Sequence, residues 1–130
     1  MSLSPFKIFI IDDDKFMRLI LAQLLDKSYT TEVFNNALDA LVYLQKGNIP
    51  DLIISDLYTP GLSGLELISQ LKASGFFMSI PIIIISGEDS SEARIMCFNA
   101  GADDYIIKPF NPAELEARVR VVLKRCNKLI

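Results

Sequence analysis

Short runs of hydrophobic residues alternate along this chain with longer segments in which hydrophobic residues recur every three or four positions. The short runs predict five β-strands, because a strand that is covered on both faces is hydrophobic at successive positions. The predicted strands are Lys7–Ile11, Glu32–Phe34, Leu52–Ser55, Ile82–Ser86 and Tyr105–Ile107. The segments between them predict helices, since a period near 3.6 places hydrophobic side chains on one helix face. Examples are Met17, Ile20, Leu21 and Leu24 early in the chain, and Leu115, Val119, Val122 and Leu123 near its end.

Polar residues at the predicted helix starts support this assignment. Ser63 followed by Glu66 is typical of a capping box, in which each side chain binds the other residue's backbone N–H. Asn111 followed by Pro112 predicts an N-cap with proline at the first helical position. Two further starts are predicted at Asn35-Asn36 and Ser90-Ser91. The chain therefore predicts five consecutive β/α units.

This alternation predicts a doubly wound α/β domain, with an open parallel sheet and helices on both faces. The first, third and fourth strands are nearly continuous hydrophobic runs, as expected for strands buried on both faces. In such sheets, sites form at the carboxyl ends of the strands, beside the point where the strand order reverses.

Composition and charge exclude several classes of protein and of functional site. Half of the 130 residues are hydrophobic (51%), which excludes a disordered chain, and no hydrophobic run is long enough to span a membrane. The net charge of -3 argues against binding to a nucleic-acid backbone. The chain has no histidine, so imidazole catalysis and imidazole metal ligands are excluded. Cys97 and Cys126 form no disulfide framework, which favours a reducing compartment and a cytoplasmic location.

Charged and hydroxyl residues follow the predicted strands directly. Asp12-Asp13-Asp14 ends the first strand, Asp56 the third, Ser86 the fourth and Lys108 the fifth. Because parallel strands present their carboxyl ends at one edge, we expect these groups to converge. Several carboxylates would repel one another without a cation, and hard oxygen ligands with room for water suit Mg²⁺. Asp14 is expected to cap the first helix instead.

Four ordered motifs resemble the response-regulator receiver domain of two-component signalling. They are "IIDDDKFMR", "LIISDLYTPGLSG", "IIIISGEDS" and "AGADDYIIKPFNPAEL". The resemblance covers nearly the whole chain, about residues 6–125, and predicts a single receiver domain over residues 1–130. A domain that stands alone and a fragment of a longer protein both fit this length. The resemblance also implies the flavodoxin-like fold, with five parallel strands in the order 2-1-3-4-5.

The resemblance implies a role for each site residue. Asp56 matches the phosphoacceptor, Lys108 matches the lysine that contacts the phosphoryl group, and Ser86 matches the switch hydroxyl. The implied metal site holds Mg²⁺, with Asp13 as a direct ligand and Asp12 acting through water. Asp56 and the backbone carbonyl of Tyr58 complete that predicted ligand set. Pro109 matches a proline that follows a cis peptide bond.

The resemblance further implies how the signal leaves the site. Tyr105 is the expected switch aromatic, which rotates inward on phosphorylation, and Tyr58 and Glu88 occupy positions that tune hydrolysis. The implied output face comprises the fourth helix, fifth strand and fifth helix. Through it the domain would control an output domain or partner, and would form a homodimer. The implied phosphodonor is a histidine kinase or a histidine phosphotransfer protein. Direct nucleic-acid binding and membrane insertion are not expected.

Three other functions fit the sequence less well. An FMN-binding domain of the same fold needs a hydroxyl- and glycine-rich loop after the first strand, where Asp12-Asp13-Asp14 would repel the phosphate. A Mg²⁺-dependent phosphohydrolase with an aspartyl nucleophile typically carries a second acid two residues later, where this chain has Tyr58. A receiver-like interaction module that works without phosphorylation remains open, although the retained site residues weigh against it.

Overall fold

The computed structural model describes residues 6–126 and contains five β/α units in this part of the chain. The strands are β1 (Lys7–Ile11), β2 (Thr30–Phe34), β3 (Leu52–Asp56), β4 (Ile82–Ser86) and β5 (Asp104–Ile107). The helices are α1 (Lys15–Leu25), α2 (Ala37–Gln45), α3 (Gly64–Lys72), α4 (Ser91–Ala100) and α5 (Pro112–Arg125). The predicted alternation of strands and helices is confirmed.

The five strands form one sheet in the order β2-β1-β3-β4-β5, and each neighbouring pair is parallel. This confirms the predicted fold class. The largest difference in strand bounds is in β2, which begins at Thr30 rather than Glu32. Thr30 and Thr31 lie opposite Lys7 and Ile8, so backbone pairing extends the strand beyond its hydrophobic part. A strand at the sheet edge keeps polar residues, and its hydrophobic pattern therefore understates its length.

Alternation along the central strands divides the core between the two faces of the sheet. In β1, Phe9 and Ile11 pack on the face that α2, α3 and α4 cover, whereas Ile8 and Ile10 pack on the face that α1 and α5 cover. All four side chains are buried. Successive side chains of a strand point to opposite faces, so a sheet with helices on both sides needs hydrophobic residues at every central position.

Each helix begins at the polar residue that the sequence predicted. The side chains of Asp14, Asn36, Ser63, Ser90 and Asn111 accept hydrogen bonds from backbone N–H groups of the first helical turn. The reciprocal capping box at Ser63 and Glu66 is present. These caps give partners to backbone N–H groups at the start of each helix, which have none within the helix. In the described part of the chain, none of the helices combines the length and the apolar composition needed to cross a membrane.

Candidate phosphoacceptor site

The sheet brings the ends of β1 and β3 to the same level. Ile11 lies opposite Ser55, so the next residues, Asp12 directly after β1 and Asp56 at the end of β3, lie side by side. On the other side of β3, Asp56 itself pairs with Ile85, which places Ser86 one residue further along β4. The predicted convergence of these groups at one edge therefore follows directly from the strand register.

Asp12, Asp13 and Asp56 form a compact acidic cluster. One carboxylate oxygen from each lies within 4.8 Å of the others. The side chain of Asp12 is 1% exposed and that of Asp56 is 13% exposed, whereas Asp13 faces solvent. Such close carboxylates repel one another strongly where burial weakens solvent screening. The cluster therefore needs positive charge nearby.

Lys108 supplies part of that charge from the end of β5. Its Nζ lies 3.1 Å from Oδ2 of Asp12 and 3.3 Å from Oδ2 of Asp56, so one ammonium joins the two carboxylates. The backbone N–H of Lys108 donates to the carbonyl of Ser86 at 2.8 Å, which ties its loop to the end of β4. The peptide bond to Pro109 is cis, as the resemblance implied.

Burial and neighbouring opposite charges have opposing effects on the pKa values of Asp56 and Lys108. Burial raises the pKa of Asp56, the ammonium of Lys108 counteracts that effect, and the neighbouring carboxylate of Asp12 adds to the rise. For Lys108, burial by itself lowers the pKa, but hydrogen bonds and charges from Asp12 and Asp56 outweigh it and raise the pKa overall. Lys108 is thus held as a cation, while the charged form of Asp56 is disfavoured relative to an exposed aspartate.

The donor set fits a hard divalent cation. Three carboxylates supply oxygen ligands of the kind that Mg²⁺ prefers, and the exposed side of the cluster leaves room for water. Both carboxylate oxygens of Asp12 already accept hydrogen bonds, Oδ1 from the backbone of Asp14 and Oδ2 from Lys108. Asp13, whose side chain is exposed, is therefore better placed than Asp12 to contact a metal directly.

The loop after Asp56 is closely packed against the strand end. The N–H of Gly64 donates to the carbonyl of Leu57 at 2.7 Å, and a Cβ at position 64 would lie 2.7 Å from the carbonyl oxygen of Asp56. Any larger residue there would force the backbone around Asp56 or Gly64 to shift. Tyr58 is exposed, and its backbone N–H binds the carboxylate of Asp56. Its carbonyl as a metal ligand stays a prediction.

Ser86, Glu88 and Tyr105 form a connected group at the end of β4. The buried hydroxyl of Ser86 accepts a hydrogen bond from the N–H of Glu88 at 3.0 Å. The hydroxyl of Tyr105 donates to the carbonyl of Glu88 at 2.7 Å, and its ring is buried. Glu88 thus joins the two switch candidates through its backbone, while its side chain faces solvent. This backbone connection is not evident from the sequence.

Sequence reasoning missed Arg18. Its Nη1 donates to the backbone carbonyl of Asp12 at 2.7 Å, although Arg18 lies six residues further along the chain. The available indication was its position in the first turns of α1, directly after the acidic run. An arginine at this position can reach back over the turn, but its hydrogen-bond acceptor is known only from the structure.

The predicted output face also carries a charge network. The guanidinium of Arg118 binds Asp104 at 3.1 Å and Glu114 at 2.9 Å. Asp103, which directly precedes β5, accepts a hydrogen bond from the N–H of Ile82 at 2.9 Å. Asp103 therefore holds the start of β4.

The family model of the response regulator receiver domain matches residues 8–120. This chain belongs to that family. Response regulator MprA of Mycobacterium sp. (strain KMS) is 37% identical over 122 residues, and the transcriptional regulatory protein PcoR of Escherichia coli is 38% identical over 120 residues. The alignments cover 93% and 92% of this chain respectively, and 52% of each relative. The receiver-domain chain thus spans about half the length of these relatives.

A solved structure supports the same assignment. The crystal structure of a putative response regulator from Chloroflexus aurantiacus J-10-fl has a TM-score of 0.88 and 32% sequence identity. The match covers 94% of this chain and 100% of that chain. The receiver-domain fold, with its strand order 2-1-3-4-5, is therefore common to both. As a receiver domain, the chain is part of a two-component signalling switch rather than a conventional enzyme.

Proposed function

We propose that this receiver domain accepts a phosphoryl group on Asp56 in a Mg²⁺-dependent reaction, with a histidine kinase or a histidine phosphotransfer protein as donor. The observation that carries the proposal is the position of Lys108, whose ammonium lies 3.1 Å from Asp12 and 3.3 Å from Asp56. A cation placed between an acidic cluster and the acceptor suits the transfer of a phosphoryl group, whose negative charge is spread over three oxygens.

In the proposed reaction, a carboxylate oxygen of Asp56 attacks the phosphorus of the donor's phosphohistidine. The P–O bond to Asp56 forms as the P–N bond to the donor breaks, and the donor histidine leaves. A bound Mg²⁺ neutralises charge on the carboxylates and on the transferring phosphoryl group. Asp12, Asp13, Asp56 and the carbonyl of Tyr58 would hold it.

Lys108 and Ser86 have separate roles in this proposal. Lys108 moves from bridging two carboxylates to contacting a phosphoryl oxygen, and it keeps the positive charge that its raised pKa secures. The hydroxyl of Ser86 accepts a hydrogen bond from the N–H of Glu88 and would donate its own proton to a phosphoryl oxygen in place of its contact with Tyr105. Water later hydrolyses the acyl phosphate, and the side chains of Tyr58 and Glu88, both exposed, would modulate its approach.

The same group of residues carries the signal outward. When Ser86 turns toward the phosphoryl group, it releases the N–H of Glu88, whose carbonyl holds the hydroxyl of Tyr105. Tyr105 is already buried here with its hydroxyl on Glu88, so the proposed signal is a shift of Tyr105 together with Glu88 rather than a first inward rotation. This shift changes the α4–β5–α5 face, which acts on an output domain or partner or forms a homodimer. Exposed hydrophobic side chains support this use of the face. They are Ile95, Met96 and Phe98 on α4, and Val121 on α5.

The remaining predictions belong to the same proposal. Residues 1–130 form a single receiver domain, which acts in the cytoplasm and does not itself bind nucleic acid. The net charge of -3 is consistent with contacts to protein rather than to a phosphate backbone. The name of PcoR, a transcriptional regulatory protein, is consistent with an output that controls transcription in a longer protein.

The decisive experiment follows intact mass after incubation with acetyl phosphate and Mg²⁺. We expect one phosphoryl adduct, which Asp56→Asn and EDTA both abolish. Asp14→Asn is the matched control, since asparagine also caps helices well and Asp14 serves as the N-cap of α1; it should keep the adduct. Continuous release of phosphate over many turnovers would instead indicate a phosphohydrolase, and the absence of any adduct with every donor would indicate a phosphorylation-independent interaction module.

A further inference from the structure

The turn that carries the acidic pair is held at both ends by one residue of α1. The backbone N–H of Arg18 donates to the carbonyl of Asp14 at 3.0 Å, and its side chain donates to the carbonyl of Asp12 at 2.7 Å. The residue between these two carbonyls is Asp13, the exposed member of the acidic cluster. Arg18 therefore spans the peptide segment from which the carboxylate of Asp13 projects.

Asp12 is held at each of its hydrogen-bonding groups. Its N–H donates to the carbonyl of Phe34 at 3.1 Å, and its carbonyl accepts from Arg18. Its two carboxylate oxygens accept from Asp14 at 2.9 Å and from Lys108 at 3.1 Å. The side chain of Asp12 is fixed by the N–H of Asp14 and by Lys108. The plane of the Asp12–Asp13 peptide bond depends instead on the contact between the Asp12 carbonyl and Arg18.

We propose that Arg18 is a positioning residue for the divalent-cation site, which acts by fixing the Asp12–Asp13 peptide plane and thereby the direction of the Asp13 carboxylate. The inference rests on the proposed function, because it assumes that the acidic cluster binds Mg²⁺. Residues that orient metal ligands typically change metal affinity by 10–100-fold when they are replaced, about the range expected here.

The direction in which Arg18→Gln changes the Mg²⁺ affinity distinguishes a positioning role from a purely electrostatic one. Arg18 is a cation close to a cation site, so its charge alone weakens the binding of a second cation. If charge were its only influence, Arg18→Gln would strengthen Mg²⁺ binding. If Arg18 positions Asp13, the same substitution weakens binding, because the ligand loses its fixed direction.

The test measures Mg²⁺ affinity by isothermal titration calorimetry on the intact chain. We expect Arg18→Gln to lower the affinity about tenfold, and Arg18→Lys, which keeps the charge and one donor, to fall between that variant and the original protein. Lys15→Gln is the matched control. It removes the same charge from an exposed position at the start of α1 and should leave the affinity unchanged or slightly higher.

A second measurement does not require the metal. Without Mg²⁺, hydrogen exchange at the amide of Asp14, which binds Oδ1 of Asp12, should be faster in Arg18→Gln and unchanged in Lys15→Gln. Equal or tighter Mg²⁺ binding by Arg18→Gln, or an equal loss in Lys15→Gln, would overturn the inference. If the original protein binds no Mg²⁺, the proposed function fails, and the exchange measurement alone then decides whether Arg18 orders the turn.

Discussion

The phosphoacceptor site and the α4–β5–α5 face each contain one cation that bridges two carboxylates, but the two networks differ in burial. Lys108, which is 21% exposed, binds Asp12 and Asp56, which are 1% and 13% exposed. Arg118, which is 42% exposed, binds Asp104 and Glu114, which are 17% and 56% exposed. Solvent screens the second network, whereas it largely cannot screen the first.

This difference in burial determines what each network can do. At the acceptor site, burial raises the pKa of Asp56 even though Lys108 is close, so the negative charge of the carboxylates is only partly compensated and a bound cation would stabilise it. At the output face, hydrogen bonds to Glu114 and Asp104 raise the pKa of Arg118, and solvent screens the negative charge that Arg118 leaves uncompensated. Four predictions test this contrast, from the largest expected effect to the smallest.

The largest change in the free energy of unfolding is expected from Lys108→Met, measured without Mg²⁺. Removing one partner of a buried ion pair leaves uncompensated charge, which typically costs 3–5 kcal/mol; we expect about 3 kcal/mol, because Lys108 retains some contact with solvent. Urea unfolding gives the free energy. Mg²⁺ should still bind, while phosphoryl transfer should fall strongly. Full phosphorylation and normal switching by this variant would contradict the role given to Lys108.

Mg²⁺ should stabilise the folded protein by an amount that depends on its concentration. At one hundred times its dissociation constant, a ligand that binds only the folded state adds about 2.7 kcal/mol to the free energy of unfolding. Thermal unfolding with Mg²⁺ and with EDTA measures the shift. Asp13→Asn should lose most of it, whereas Asp14→Asn should keep it, and an equal shift in both variants would place the ion elsewhere.

Asp56→Asn should stabilise the protein in the absence of Mg²⁺, by less than Lys108→Met destabilises it. The pKa of Asp56 is raised in the folded state, so its contribution to stability is complete below the pKa of an unfolded aspartate and is lost as the pH rises through the folded pKa. The advantage of the asparagine variant should therefore be absent in acid and grow toward neutral pH. Urea unfolding at several pH values measures the difference in free energy of unfolding between the variant and the original protein. A difference that shrinks toward neutral pH would refute the prediction.

The smallest effect on stability is expected from Arg118→Gln. Exposed ion pairs contribute 0.2–1 kcal/mol, so we expect a loss of about 0.5 kcal/mol, smaller at high salt. Mg²⁺ affinity and the phosphoryl adduct should not change. If the face forms a homodimer after phosphorylation, sedimentation of the phosphorylated variant should show a shift in the monomer–dimer equilibrium. An altered Mg²⁺ affinity would show that the two networks are coupled.

Much of the fold was predictable because its causes are local. Hydrophobic runs identified β1, β3 and β4, and polar caps such as Ser63 and Asn111 marked where helices begin. The start of β2 was not predictable to the residue. Thr30 and Thr31 join the sheet through backbone pairing with β1, and a backbone hydrogen bond leaves no mark on side-chain type.

For the candidate site, the sequence by itself determined which chemical groups are available and at which strand end each one stands. The resemblance of four ordered motifs to receiver domains, which the match over residues 8–120 confirmed, added their expected roles. Strand order then brings Asp12, Asp56 and Lys108 together, although Lys108 is 96 residues from Asp12 in the chain.

Only the tertiary structure decided how these groups contact one another. It placed Lys108 between two carboxylates, joined Ser86 to Tyr105 through the backbone of Glu88, and directed Arg18 to the carbonyl of Asp12. The physical reason is that residue types set charge and hydrogen-bonding capacity, whereas burial and distance set the strength of each interaction. Both depend on how distant segments pack.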